Sequence, residues 1–181
     1  RQLLLFSRRS PQAPRRLRVG AFLLELRPML ERLLPPSVTL SLHSGPDGLE
    51  VVADAEQLER VVINLVMNAA DAIAGPGVIT IDVDTNQLDQ RAADVADVQP
   101  GTFVVIVVND TGSGMSPDTL AHVFEPFFTT KPPGHGTGLG LATVFGIVRQ
   151  AGGHVDVEST PHRGTTFRIL LPAIGPEPRA A

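Results

Sequence analysis

The stretch Val61-Val62-Ile63-Asn64-Leu65-Val66-Met67-Asn68-Ala69-Ala70-Asp71-Ala72-Ile73-Ala74 decides the fold. Nothing in it breaks a helix, and Gly75-Pro76-Gly77 follows as a stop. Asp54 stands ahead as an N-cap, so residues 55–74 are expected to form one helix. Only Asn64, Asn68 and Asp71 interrupt its apolar surface. At about 100° per residue, these three share an arc of roughly 60°. Gln57 and Arg60 extend the stripe toward the N-terminus. A helix apolar on every other side is largely buried, and a buried amide is costly unless satisfied. Two readings stand. The amides bond to neighbouring backbone, or they face a ligand. Asparagine oxygens suit a hard cation such as Mg²⁺.

Outward from this helix the elements alternate. Phe22, Leu23, Leu26, Met29, Leu30 and Leu33 recur at helical spacing, predicting a helix over residues 21–34 that ends at Pro35-Pro36. Residues 38–42, 49–53, 78–84 and 103–109 read as strands. The polar segment 87–99 reads as an exposed loop. Ser116-Pro117 opens a short helix to about Val123, and residues 138–150 form another. Residues 126–136 read as a mobile loop, and residues 153–159 and 165–171 as a closing hairpin. The order favours an α+β, two-layer sandwich, with one mixed, mostly antiparallel sheet and helices on one face. Residues 1–9 read as the end of an amphipathic helix, and residues 173–181 as a flexible tail.

Two glycine clusters carry chemistry. Asn109-Asp110-Thr111-Gly112-Ser113-Gly114-Met115 follows an apolar strand, so it sets a carboxylate beside open backbone. A carboxylate only accepts hydrogen bonds and can select an amino group such as that of adenine. An ordinary Asp-Gly turn is the plainer alternative. Gly136-Thr137-Gly138-Leu139-Gly140-Leu141 opens the next helix. Alternating glycines at a helix N-terminus suit a phosphate, although a flexible hinge has the same composition. No G-K-[ST] follows, so it is not a Walker loop, and no G-x-G-x-x-G opens a βαβ unit.

The 181 residues carry a net charge of −4, which argues against a nucleic-acid surface. Arg8, Arg9, Arg15, Arg16 and Arg18 form a basic cluster that reads as a solvated linker. Hydrophobic residues make up 43% and aromatics 4%, so the core is built from Val, Leu, Ile and Ala. Cysteine is absent, which excludes disulfides and thiolate metal sites and suits a reducing cytoplasm. No apolar run approaches the length of a membrane span. The chain begins without Met and is expected to come from a longer protein that can be membrane-anchored.

Four boxes now stand in one order: N-L-V-M-N-A-A-D-A, D-T-G-S-G-M, V-F-E-P-F-F-T-T-K and G-T-G-L-G-L. Together they resemble the catalytic domain of two-component sensor histidine kinases. That family shares its Bergerat-type ATP-binding fold with gyrase, chaperone and mismatch-repair ATPases. The resemblance covers residues 19–172, and residues 15–172 are taken as the catalytic domain. It implies ATP and Mg²⁺ as cofactors. Asn68 would coordinate Mg²⁺, with Asn64 one turn earlier toward the phosphates and Asp71 on the same lining. Asp110 would bind the adenine amine, with Gly112, Gly114, Met115 and Thr165 around the base. Phe124, Phe127 and Phe128 would anchor a lid, with at least one of them also a core aromatic. Lys131 would meet phosphate or lie solvated. Gly136 to Leu141, including Thr137, Gly138, Leu139 and Gly140, would close over the phosphates.

Residues 1–14, with L-L-L-F-S-R, resemble the end of a dimerisation and phosphoacceptor helix and its linker. None of the five histidines stands in such a helix, so the acceptor lies outside this chain. The implied partners are the chain's own dimerisation domain and a response regulator receiver domain. The parent would be a homodimer and this piece a monomer. Same-fold ATPases usually carry a Glu where Asn64 stands, and an amide is no general base. Glu59, nine residues before Asn68, falls about 180° round the helix. Transfer is therefore expected over hydrolysis, with a same-fold ATPase or an inert nucleotide binder as alternatives.

Overall fold

The computed structural model describes residues 14–132 and 136–175. The helix expected over residues 1–9, His135 in the loop and residues 176–181 lie outside them. Strands β1 (Arg15–Arg18), β2 (Val38–His43), β3 (Glu50–Ala53), β4 (Gly77–Leu88), β5 (Gly101–Asp110), β6 (His154–Ser159) and β7 (Thr165–Ile174) form one sheet. Their order is β1-β3-β7-β5-β4-β2, with β6 also paired to β7. Only β2 and β4 run parallel; the other pairings are antiparallel. This is the mixed, mostly antiparallel sheet that the element order predicts.

Three helices cover one face: α1 (Val19–Leu33), α2 (Ala55–Ala72) and, after α3 (Gln90–Ala96) and α4 (Pro117–His122), α5 (Gly140–Gln150). Asp54 caps α2 as expected, accepting hydrogen bonds from the N–H groups of Glu56 and Gln57. Leu23, Leu30, Val62, Leu65, Val66 and Val144 pack onto Ile79, Ile81, Ile106 and Ile169. Each such side chain contributes on the order of 1.5–3 kcal/mol on burial. The aliphatic composition therefore does become the core, and α2 lies at its centre. No described helix is long and apolar enough to cross a membrane.

The structure departs from the sequence reading in four places. Arg15–Arg18 is no linker: it is strand β1, paired to β3 from Arg15↔Ala53 to Arg18↔Glu50. Leu17 points inward while its arginine neighbours stay exposed. One apolar residue among four is too short a period to register; the partner strand supplies the pairing.

Residues 87–99 are no simple loop. Strand β4 runs on to Leu88, and α3 follows, capped by Asp89 and ended by Asp97 in the left-handed region. Ala93 and Ala96 bury a second, small cluster with Leu88, Phe103, Val105 and Leu170. Val104 and Ile106 belong to the main core, so alternation along β5 puts α3 on the opposite face of the sheet. Arg149 of α5 holds its C-terminal end, donating from Nη1 to the carbonyls of Ala96 (3.2 Å) and Asp97 (2.9 Å). Alanines bury too little area to give an apolar period.

The last strand does not stop before Pro172. Ala173 and Ile174 continue β7 and pair with Val51 and Glu50 of β3. Pro172 stands where β7 passes from β6 to β3, between the two ladders, so a proline is tolerated there. Finally, α5 begins at Gly140 rather than Gly138, because Gly138 adopts a positive φ of 64°.

Candidate functional site

A cleft of about 500 Å³ opens between α2, the β5–α4 connection, the loop after α4 and the N-terminus of α5. From α2 it takes Asn64, Asn68 and Asp71. Asp110, Gly114, Met115 and Thr165 line one end. Phe128, Lys131, Gly136, Thr137, Gly138, Gly140 and Leu141 line the side toward the loop and α5. Gly112 and Leu139 are not on the lining. Gly112 lies behind it and donates its N–H to Asp110 Oδ1 at 2.7 Å. Leu139 precedes α5, its N–H on Thr137 Oγ1 at 3.3 Å. The expected extension of the polar stripe does not reach the cleft lining. Gln57 borders a separate apolar groove between α2 and α5, and Arg60 shares a shallow depression with Glu59 and Asn64.

Asp110 ends β5 and is only 4% exposed. Burial pushes its pKa above the usual carboxylate value, while the N–H groups of Gly112 and Thr165 pull it back down. A carboxylate held in such surroundings needs a purpose, because desolvation alone opposes it. The β6–β7 turn fixes the loop that follows. Met115 N–H donates to Ser159 Oγ at 2.8 Å, and that hydroxyl lies 3.0 Å from both the Gly164 carbonyl and Thr165 Oγ1. His162 N–H donates to the Ser113 carbonyl at 2.6 Å. The fit leaves no room for side chains. A Cβ on Gly164, at φ +82°, would stand 1.9 Å from the Asp110 carbonyl oxygen. One on Gly114, at φ +65°, would stand 2.0 Å from Thr160 O. Ser159 escapes the sequence reading, and Gly164 receives no role in it. Both lie in the predicted hairpin, but nothing local shows that its turn packs on β5.

The C-terminal end of α2 meets the same loop. Ser113 N–H donates to the Ala72 carbonyl at 2.9 Å, and a Cβ on Gly112 would stand 2.8 Å from Ala72. Asp71 therefore lies nearer the Asp110 end, and Asn64 nearer the other. There, a Cβ on Gly140 would stand 3.4 Å from Asn64 Oδ1 and 3.9 Å from Asn68 Nδ2. The start of α5 thus abuts the two asparagines. It has no side-chain cap and no acidic residue in its first turn. Its leading N–H groups and partial positive charge are left for an anion.

The loop between α4 and α5 is tied at its base. Phe127 N–H donates to the Gly138 carbonyl at 2.8 Å, and a Cβ on Gly138 would stand 2.3 Å from the Phe127 carbonyl carbon. The three phenylalanines divide. Phe124 packs in the core, its ring 5.6 Å from Phe145 and 6.3 Å from Phe167. Phe128 lines the cleft, 5.7 Å from the ring of His122. Phe127 is 74% exposed, so its backbone, not its ring, does the anchoring. Lys131 is not left to solvent: Nζ pairs with Asp71 Oδ2 at 2.5 Å.

Asp71 and Asp110 are the carboxylates on the lining, and Glu59 stands outside it. No cluster of three or more acidic, His or Cys residues among the described ones could hold a metal. For a divalent cation, Asn64 and Asn68 offer neutral amide oxygens on the lining. Two neutral oxygens suit a hydrated cation that arrives with an anionic ligand, as Mg²⁺ does with phosphates.

Residues 53–174 match the family model described as histidine kinase-, DNA gyrase B-, and HSP90-like ATPase. The chain is 42% identical over 181 residues to the sensor kinase CckA of Brucella abortus (strain 2308), covering 99% of this chain and 19% of that protein. It is 40% identical over 123 residues to the sensor histidine kinase ZraS of Escherichia coli (strain K12), covering 68% of this chain and 23% of that one. It therefore spans about a fifth of these relatives' length. Among solved structures, the catalytic domain of histidine kinase ThkA, in a nucleotide-free form, aligns with a TM-score of 0.68 at 25% identity, covering 88% of this chain and 95% of that one. A mycobacterial sensor histidine kinase, MprB, aligns with a TM-score of 0.64 at 25% identity, covering 89% and 98%.

Proposed function

The chain belongs to the histidine kinase-, DNA gyrase B-, and HSP90-like ATPase family and is an ATP-binding catalytic domain of the histidine kinase kind, and we propose that it moves the γ-phosphoryl group of ATP onto a histidine of a dimerisation and phosphoacceptor domain. One observation carries this reading: the uncapped start of α5 faces Asn64 and Asn68, while Asp110 lines the other end and Asp71 is paired with Lys131. An anion is welcome there, and among the described residues Glu59, which shares a depression with Asn64, does not line the cleft.

In this reading Asp110 accepts a hydrogen bond from the adenine amine, with Gly114, Met115 and Thr165 beside the base. Gly112 and the β6–β7 turn hold that carboxylate in place. Asn64 and Asn68 orient the metal-bound triphosphate. Phe128, Gly136 and Thr137 flank it, and Gly138, Leu139, Gly140 and Leu141 bring the α5 N–H groups toward it. Mg²⁺, when bound, neutralises charge on the phosphate oxygens. A histidine nitrogen then forms the new N–P bond, the bond from γ-phosphorus to the bridging oxygen breaks, and ADP leaves. Such a transfer asks for positioning and electrostatic stabilisation more than for covalent help.

The remaining parts of the reading rest on the resemblance to sensor kinases and, for the setting, on the absence of cysteine. The phosphoryl group passes on to an aspartate of a response regulator receiver domain. The setting is the cytoplasm, and the parent is a homodimer. Radiolabelled MgATP should phosphorylate a longer chain that carries the upstream acceptor helices, and Asn68→Ala should abolish the label. A longer chain that binds MgATP yet never acquires label would refute transfer in favour of a binding module.

A further inference from the structure

We propose that Asp71 acts against the nucleotide: it holds Lys131 across the cleft and competes with the phosphates for that ammonium group. This rests on the nucleotide reading of the cleft. It assigns the Asp71–Lys131 pair a regulatory role rather than a shared role in binding.

The two residues come from opposite walls. Asp71 stands on α2, one turn beyond Asn68, and Lys131 stands on the loop after α4. Their 2.5 Å pair closes a contact between residues 60 positions apart. It bridges the middle of the cleft, since Ala72 beside Asp71 touches the Asp110 end and Asn64 touches the α5 end. A nucleotide whose base lies at Asp110 and whose phosphates reach α5 must run along this line. It passes an ammonium whose charge Asp71 already holds. Side-chain exposures of 35% and 49% make the pair weak enough to part. Among the described residues Lys131 is the one cation on the lining, so phosphate is the partner that would draw it away.

The test is a double-mutant cycle on the full 181-residue chain, with MgATP affinity read by calorimetry. Asp71→Asn should tighten binding by about three- to fivefold, the range of a half-exposed ion pair. Lys131→Met should weaken it. In the Lys131→Met background, Asp71→Asn should then change little, because the ammonium it competed for is gone. An equal gain in both backgrounds would show that Asp71 repels phosphate directly, and would overturn the competition. A loss of affinity on Asp71→Asn would make Asp71 a ligand of the nucleotide or its cation, and would overturn it too. A wild-type chain that takes up no MgATP would defeat the nucleotide reading itself. A wild-type chain that binds with no coupling in the cycle would defeat only this inference.

Discussion

Replacing Asp110 by asparagine should weaken ATP binding while leaving the nucleotide-free fold as stable or more so. The two effects have opposite signs because one carboxylate serves two states. Its Oδ1 already accepts the Gly112 N–H at 2.7 Å. An amide in that place keeps its oxygen on Gly112 and turns its NH₂ toward the cleft. The adenine amine is itself a donor, so an acceptor is lost and two donors oppose each other. A hydrogen bond to a charged group is worth about 1.5–3 kcal/mol, or roughly 10- to 150-fold in Kd. The fold responds otherwise. Burial raises the Asp110 pKa, so the group's stability contribution is full below the ordinary aspartate value and is lost as pH rises through the raised one. Asparagine removes that loss, and the variant's melting temperature should vary less across this pH window. Calorimetry with MgATP, together with thermal melts over a pH series, reads both effects. MgGTP, whose base carries an acceptor where adenine carries its amine, should lose less affinity than MgATP. Unchanged ATP affinity would refute the adenine contact. Weaker binding accompanied by an equally weakened fold would reduce Asp110 to a structural residue.

Three further outcomes are expected. Gly164→Ala should lower unfolding free energy by at least about 1–2 kcal/mol in urea titrations, since Ala is strained at φ +82° and its Cβ would stand 1.9 Å from the Asp110 carbonyl oxygen. Nucleotide affinity should fall with it, as the displaced atom belongs to the residue proposed to bind the base. Steady-state phosphate release from MgATP by this chain alone should be slow; brisk turnover abolished by Asn64→Ala would favour an ATPase instead. Arg149→Met should reduce protection of the Val98 amide in hydrogen exchange, because the guanidinium holds the carbonyls at the end of α3, with a global change below about 1 kcal/mol.

The site was more legible in the sequence than the sheet's edges were. Asn64, Asn68, Asp110 and the glycines could be read because each breaks a local rule: polar in an apolar helix, charged at the end of an apolar strand, flexible at a helix start. What escaped depends on partners far along the chain. Strand β1 exists because β3 lies beside it, and α3 because Ala93 and Ala96 find the far face of β5. Ser159 and Gly164 acquire their roles only when the last hairpin packs against the loop after β5. Pro172 misled for the same reason, since its tolerance depends on a gap between two partner strands. Phe127 shows the converse, a residue whose type suggests a buried anchor while its ring stays exposed.

The placement of charge in the cleft separates two reactions that share one binding chemistry. Both hydrolysis and transfer need the base held, the triphosphate neutralised and the γ-phosphorus exposed to a nucleophile. Hydrolysis also needs a base within hydrogen-bond reach of a water at that phosphorus. Asp110 is committed to the opposite end by Gly112 and Thr165, and Asp71 is committed to Lys131. Glu59 stands off the lining. Asn64, next to Gly140 where the base would have to be, can orient but cannot take a proton. A histidine nitrogen needs no such help, because its neutral imidazole already presents a lone pair. On the proposed reading, an amide rather than a carboxylate at Asn64 would leave bound ATP slow toward water and open to a nucleophile delivered by another domain.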